Sequence, residues 1–266
     1  NKAYSVSHYV DHKQRLEHPL KRTAEGEYVR ISWDEAIAEI AAKLNAIRSA
    51  SGPTAIALNG IGGQSNHMDA LFAMGFMGVV GTPWYFSSYA QEKSQHHLMD
   101  QLMAKSPPGL FWHADAWNSD VILVMGTNPL LSNRGHNPTE GFKKFLKNEK
   151  NRLFVVDPRR SETARRAHVH LAGKPGTDAY LLMAMVKHIL DRQLFDAGFL
   201  KDKAENFAEL EQAFSNISVE AMCAACELEV DAVIHVAEQF ARADKASIFF
   251  DLGVEQIRHS TLVSWL

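Results

Sequence analysis

Leu153-Phe154-Val155-Val156-Asp157-Pro158-Arg159-Arg160-Ser161-Glu162-Thr163-Ala164 is the stretch that decides the fold. An apolar run ends on an acidic residue and a proline. A short amphipathic segment then opens behind Ser161-Glu162-Thr163. A buried parallel strand hands over to a helix in this way, and a carboxylate at the strand's C-terminal edge is where nucleotide-binding sheets meet ribose or base.

Two further stretches share the logic. Val121-Ile122-Leu123-Val124-Met125 runs into Gly126-Thr127-Asn128-Pro129, and Lys174-Pro175-Gly176-Thr177-Asp178 leads a long helical pattern over Thr177–Leu190. Around them the apolar pattern alternates. Strands are expected at 121–125, 153–156, 169–171 and 246–250, with helices at 139–146 and 230–240. Nearer the N-terminus, Ser32 with Glu35 three residues on opens a helix. Pro53–Leu58 reads as a short buried strand and Ser65–Val80 as a helix with Met68, Leu71, Phe72 and Phe76 on its apolar side. Trp84–Phe86 reads as a strand and Glu92–Met103 as a helix. Apolar strands alternating with amphipathic helices imply an α/β fold whose mainly parallel sheets are covered on both faces.

Composition narrows the function classes. The net charge of −3 carries no nucleic-acid footprint, and no apolar run approaches the roughly 20 residues of a membrane span. Two cysteines, Cys223 and Cys226, exclude a disulfide-rich scaffold. With no second pair and no histidine at finger-like spacing, they read as small buried hydrophobes. The adjacent His96 and His97 point apart on a helix, whereas His168 and His170 share one face of a strand.

Each candidate site residue has an ordinary structural alternative. Gly126 permits a tight turn, Thr127 and the loop N–H groups suit phosphate, and Asn128 can donate to an oxygen; an Asn-Pro turn accounts for the same residues. Asp157 can accept from ribose hydroxyls or cap the segment behind it, with Arg159 beside it as an ion-pair partner. Gly176 allows the turn before the long helix, which Thr177 can cap while Asp178 points outward. Gly62 and Gly63 belong to a glycine-rich turn, Asn59–Asn66, that lacks both the dinucleotide spacing Gly-x-Gly-x-x-Gly and the phosphate-loop lysine.

The order of strand–Gly-Thr-Asn-Pro, strand–Asp-Pro-Arg and Pro-Gly-Thr-Asp resembles the molybdopterin-dependent oxidoreductases of the dimethyl-sulfoxide-reductase type, which include formate dehydrogenases and nitrate reductases. Weaker similarity extends over nearly the whole chain. The resemblance implies two lobes: an irregular lead-in at 1–30, a first α/β lobe at 31–116 completed by 243–266, and a Rossmann-like dinucleotide-binding insert at 117–242. It implies molybdopterin guanine dinucleotide with molybdenum or tungsten, and two-electron redox or oxygen-atom transfer at the metal. Gly126, Thr127 and Asn128 would face the pyrophosphate or guanosine, Asp157 the guanosine, and Gly176, Thr177 and Asp178 the guanine. Gly62 and Gly63 would approach the pterin, and Cys223–Cys226 would form a turn without metal. The metal's protein ligand would stand in the loop Ser87–Lys93. There the alignment gives Ala90, which has no donor atom, with Ser88, Tyr89 and Glu92 as competing donors. The metal ligand is therefore left unassigned.

An iron–sulfur cluster would come only from a segment upstream of this chain. The chain is expected to be the central portion of a catalytic subunit, inactive alone, acting on a small-molecule redox substrate with an electron-transfer subunit as partner. A cytoplasmic location is expected, with a periplasmic one left open by the absent Met start. The alternatives are a non-catalytic α/β scaffold subunit derived from such an enzyme, or an NAD-binding Rossmann-type enzyme.

Overall fold

The computed structural model describes residues 5–60, 69–107, 112–132 and 138–266. It divides into two compact units, Asn1–Ser88 and Tyr89–Leu266.

The first unit opens with helix α1 (Val6–Val10) and an antiparallel pair, β1 (Leu20–Arg22) with β2 (Tyr28–Arg30). Helix α2 (Trp33–Ser51) starts where the sequence predicts. The Ser32 hydroxyl accepts from the Glu35 N–H at 3.1 Å, which satisfies one of the free donors of the first turn. Gly52, at φ 80°, stops the helix. The expected strand Pro53–Leu58 is a strand only at its end. Proline fixes a 3-10 turn over Pro53–Ala55, and β3 is Leu58–Asn59, paired in parallel with β4 (Tyr85–Phe86). Helix α3 is described from Asp69 to Val80, so Met68 and the start of the expected helix lie outside the described residues. Leu71 and Phe72, assigned to its apolar side, are 73% and 79% exposed.

The second unit is built on a four-stranded parallel sheet of β5 (Val121–Met125), β6 (Arg152–Val156), β7 (Val169–Leu171) and β8 (Ala246–Phe250), in the order β7-β6-β5-β8. Every residue of β5 is buried, as a strand covered on both faces requires. The pleat sorts the side chains into two layers. Leu123, Met125, Phe154 and Val156 face a core with Leu181, Met185, Val233 and Val236. Those partners come from α6 (Asp178–Asp191) and α10 (Val230–Ala241). Ile122, Val124, Leu153 and Val155 face Phe142 and Phe145 of α5 (Pro138–Phe145). Between α6 and α10 run α7 (Ala197–Lys203), α8 (Phe207–Phe214) and α9 (Val219–Cys226). Helix α4 (Ser94–Ala104) precedes the sheet, and α11 (Leu252–Glu255) and α12 (Ser260–Trp265) follow it.

Two expectations need restating. The segment behind Ser161 forms only a 3-10 turn, Ala164–Arg166, before the chain enters β7. Residues 243–266, expected to complete the first lobe, contribute β8, which pairs with β5 from Val121↔Ala246 to Met125↔Phe250. The alternation of β8 accounts for this: Ile248 and Phe250 join one core layer and Phe249 the other.

Candidate functional site

The chain leaves β5 towards β6 and β7 on one side and returns on the other as β8. At such a reversal the loops beyond the strand ends splay apart and leave a crevice. A cavity of about 300 Å³ lies there, lined by Gly126, Thr127 and Asn128 after β5, Asp157 and Pro158 after β6, and Lys174–Asp178 before α6. The three sequence motifs thus converge on one place.

The wall between β5 and β8 is backbone against backbone. Gly253 N donates to Gly126 O at 2.9 Å. A Cβ on Gly126 would stand 2.7 Å from Val254 N, and one on Gly253 would stand 2.5 Å from Gly126 O. Gly126 also has φ +61°. Both glycines are required by this contact. The sequence reading found Gly126 and missed Gly253, although Phe250-Asp251-Leu252-Gly253 also places glycine shortly after a strand.

Asn128 is committed to the protein. Its Nδ2 donates to Glu162 Oε2 at 2.6 Å, and its Oδ1 accepts from the N–H and hydroxyl of Thr163 at 3.2 and 2.6 Å. It ties the loop after β5 to the loop after β6. Asp157 is half-buried, and its Oδ1 accepts from Arg159 N at 2.8 Å, an Asx turn that shapes the strand exit. Its carbonyl meets His170 Nε2 at 2.7 Å. Arg159 itself does not line the cavity. It is an exposed side chain 3.5 Å from Glu162.

Gly176, at φ +83°, makes the turn into α6. Thr177 sits at the cap position without a capping hydrogen bond; its hydroxyl donates instead to Lys174 O at 2.7 Å. Asp178 is half-buried on the cavity wall, where burial pushes its carboxyl above the usual range against the opposing pull of its own backbone N–H. Cys226 lies behind this turn, with its thiol 3.4 Å from Thr177 O. The cysteine pair is helical rather than a turn: Ser218 caps α9 by accepting from Ala221 N at 3.1 Å, and Cys223 and Cys226 fall in the same helix. Burial raises both thiols, Cys223 to about 11, so neither is poised as a thiolate.

The loop expected to face the metal forms a 3-10 turn, Ser88–Gln91, with Ser88 and Ala90 exposed and Glu92 half-buried. Ala90 and Glu92 are not among the described residues that line the cavity. Gly62 and Gly63 lie outside the described residues. Among the described residues, no three His, Cys, Asp or Glu side chains converge to hold a metal ion. The cavity, with glycine walls and one under-solvated carboxylate, fits a polar group such as a nucleotide.

A family model for molybdopterin oxidoreductase matches residues 15–257. Formate dehydrogenase H of Escherichia coli is 28% identical over 247 residues, covering 91% of this chain and 34% of that protein. The molybdopterin-containing subunit of thiosulfate reductase from Salmonella typhimurium is 29% identical over 243 residues, covering 87% and 30%. Among solved structures, acetylene hydratase from Pelobacter acetylenicus superposes with a TM-score of 0.85 at 26% identity, covering 99% of this chain and 36% of that one. The chain spans about a third of the length of these relatives. It belongs to the molybdopterin oxidoreductase family, a family of enzymes whose members imply molybdenum and molybdopterin. Membership favours neither the NAD-binding reading nor the scaffold reading. Among the described residues no helix is long and apolar enough to cross a membrane.

Proposed function

We propose that the cavity beyond β5 and β6 holds the guanosine and pyrophosphate of a pterin guanine dinucleotide, in a Rossmann-like lobe of an enzyme that carries out two-electron redox or oxygen-atom transfer at molybdenum. The observation that carries this reading is the meeting of Gly126-Thr127-Asn128, Asp157 and Gly176-Thr177-Asp178 around one crevice. Gly126 and Gly253 let two backbones close the wall, and the N–H groups of the loops and of the start of α6 suit phosphate oxygens. Asp157 has one oxygen engaged by Arg159 N, and its other oxygen serves a ribose hydroxyl. Asp178 supplies the specificity. Guanine offers an N1–H and an exocyclic amine that pair with a carboxylate, whereas adenine offers an acceptor at N1. Asn128 and Arg159 act as supports of the loops, because their polar atoms are bound to Thr163 and Glu162.

When bound, the cofactor supplies the metal and the redox chemistry, and the chain binds and orients it. A small-molecule redox substrate and an electron-transfer subunit belong to the same reading. The relatives' names include formate dehydrogenase, thiosulfate reductase and acetylene hydratase, so the family does not fix the substrate. Asp178→Ala in the full-length protein tests the proposal. Losing a charge-assisted pair is expected to weaken guanine dinucleotide binding by roughly 1.5–3 kcal/mol. Unchanged pterin occupancy and cofactor off-rate would reject the role.

A further inference from the structure

Beside the cavity lies a buried ion cluster that the binding reading does not use. Lys93, at the start of α4, places its ammonium 2.8 Å from Asp251 Oδ1 and 2.6 Å from Glu255 Oε1. The three side chains are 16%, 11% and 0% exposed. Gln95 Nε2 donates to Glu255 O at 2.8 Å, and His96 stands between Glu255 Oε1 at 3.2 Å and Asp100 Oδ2 at 3.3 Å. Glu255 Oε2 is buried with no hydrogen-bond partner among the described residues.

A packed apolar contact would fasten α4 to α11 at lower cost, since desolvating ions offsets much of their attraction. What such a cluster does supply is register. An ammonium accepts only one placement between two fixed carboxylates, whereas apolar side chains slide. The register here has two ends. Lys93 follows the 3-10 turn Ser88–Gln91, which carries Ala90, with Glu92 between them. Asp251 and Glu255 flank Gly253, whose backbone seals against Gly126 in the cavity wall, and Ile257 just beyond lines the same cavity.

We propose that Lys93 is a positioning residue that ties the Tyr89–Glu92 turn to the wall of the cavity, so that filling the cavity holds the turn in place. The inference rests on the reading of the cavity as a nucleotide site and of the turn as facing the metal. It assigns Lys93 no contact with cofactor or substrate.

Hydrogen exchange on the complete chain tests it, with guanosine 5′-diphosphate as the probe. Lys93→Met and the uncharged Lys93→Met/Asp251→Asn/Glu255→Gln, which strands no buried carboxylate, are compared with wild type, with Lys93→Arg as the conservative control. In the absence of nucleotide, both are expected to speed exchange about tenfold over residues 89–95 and 252–257 while leaving 121–125 and 152–156 unchanged. A general loss of stability would speed all four segments. Nucleotide is expected to slow exchange at 126–128 and 176–178 in every form, but at 89–93 only in wild type and in Lys93→Arg, whose fork can bridge both carboxylates. The proposal is overturned if the triple variant keeps wild-type exchange at 89–95, or if nucleotide slows 89–93 in that variant as in wild type. A triple variant that does not fold makes the cluster a stability element and overturns it equally. If nucleotide protects neither 126–128 nor 176–178 in wild type, the nucleotide reading fails, and the nucleotide-free exchange alone decides for or against Lys93.

Discussion

The two compact units treat apolar side chains in opposite ways. In the second, the sheet is covered on both faces, and Ile122, Leu123, Val124, Leu153 and Val155 are fully buried. In the first, Trp33 and Ile37 of α2 and Leu71, Phe72 and Val79 of α3 are all more than 60% exposed. Hydrophobic content is therefore a poor guide to where this chain is held together. The cavity belongs to the unit that closes its own core, where the loops leave strands buried on both faces.

The largest expected effect breaks or confirms that contrast. Phe154 of β6 is 1% exposed between the sheet and its helices. Phe154→Ala is expected to cost about 3–5 kcal/mol through lost transfer energy and the cavity left behind. Phe72→Ala, at a side chain 79% exposed, is expected to stay within about 0.5 kcal/mol. Urea unfolding measures both. Equal losses at the two positions would mean that α3 packs as tightly as the sheet, and the contrast would be void.

Next in size are the two glycines of the cavity rim, which separate steric from conformational demands. Gly126→Ala would drive a Cβ to within 2.7–2.9 Å of the Gly253–Val254 backbone, at a residue already at φ +61°. Gly176→Ala meets nothing within 4 Å and carries only the strain of φ +83°. We expect about 1–2 kcal/mol for the second, from left-handed backbone alone, and a larger loss for the first, where the β5 and β8 backbones must also part. The order of the two unfolding midpoints is the check; a reversed order would show that the Gly126–Gly253 contact gives way without cost.

Helix capping compares the units on equal terms. Ser32 caps α2 in the first unit and Ser218 caps α9 in the second, each accepting one N–H at 3.1 Å. Ser32→Ala and Ser218→Ala should each cost about 1 kcal/mol. Thermal unfolding that tracks each unit separately would reveal a smaller Ser32 effect if α2 contributes little to its unit.

Where the sequence could be read, one physical signal stood alone. Buried strands bounded by Gly-Thr-Asn-Pro or Asp-Pro announce themselves, because apolar runs and fixed turn chemistry agree, and β5, β6, β7, β8 and the cavity loops follow from them. Pro53–Leu58 misled because its apolar content suggested a strand while Pro53 favours a 3-10 turn. Cys223–Cys226 was placed in a turn, although Ser218 with Val219–Cys226 is a capped helical segment. Gly253, Lys93 and Glu255 were missed for a different reason. Their partners lie more than 120 residues away for Gly253 and some 160 for the ion cluster, and no local pattern records a contact made only when β8 joins β5. Asn128 was found, but its amide serves Glu162 and Thr163, and only the folded geometry separates a ligand contact from a loop tie.

The smallest expected effect concerns Asp178, and it sets stability against binding within the second unit. Burial raises this carboxyl, so the folded chain holds its proton more tightly than the unfolded chain does. Between the ordinary Asp value, about 3.9, and the raised folded value, the native state carries more protons than the unfolded state. Stability from this group therefore falls as pH rises through that window, and at neutral pH the buried charge is a net cost. Asp178→Asn removes the charge and keeps the shape. Without nucleotide, the variant should be at least as stable as wild type at neutral pH, and the difference should close as the pH falls below the ordinary carboxylate range. A wild type more stable than the variant at neutral pH would mean that the carboxylate has a folded-state partner worth more than its desolvation. With guanine nucleotide the order should reverse. An amide offers one acceptor and one donor to two guanine donors, so the variant binds less tightly and gains less stability from ligand. Thermal unfolding at two pH values, with and without guanosine diphosphate, reads both signs in one series. A residue that destabilises the empty fold and stabilises the filled one is a binding residue. If Asp178 shifts both in the same direction, its place on the cavity wall reflects the folding of α6 and not recognition.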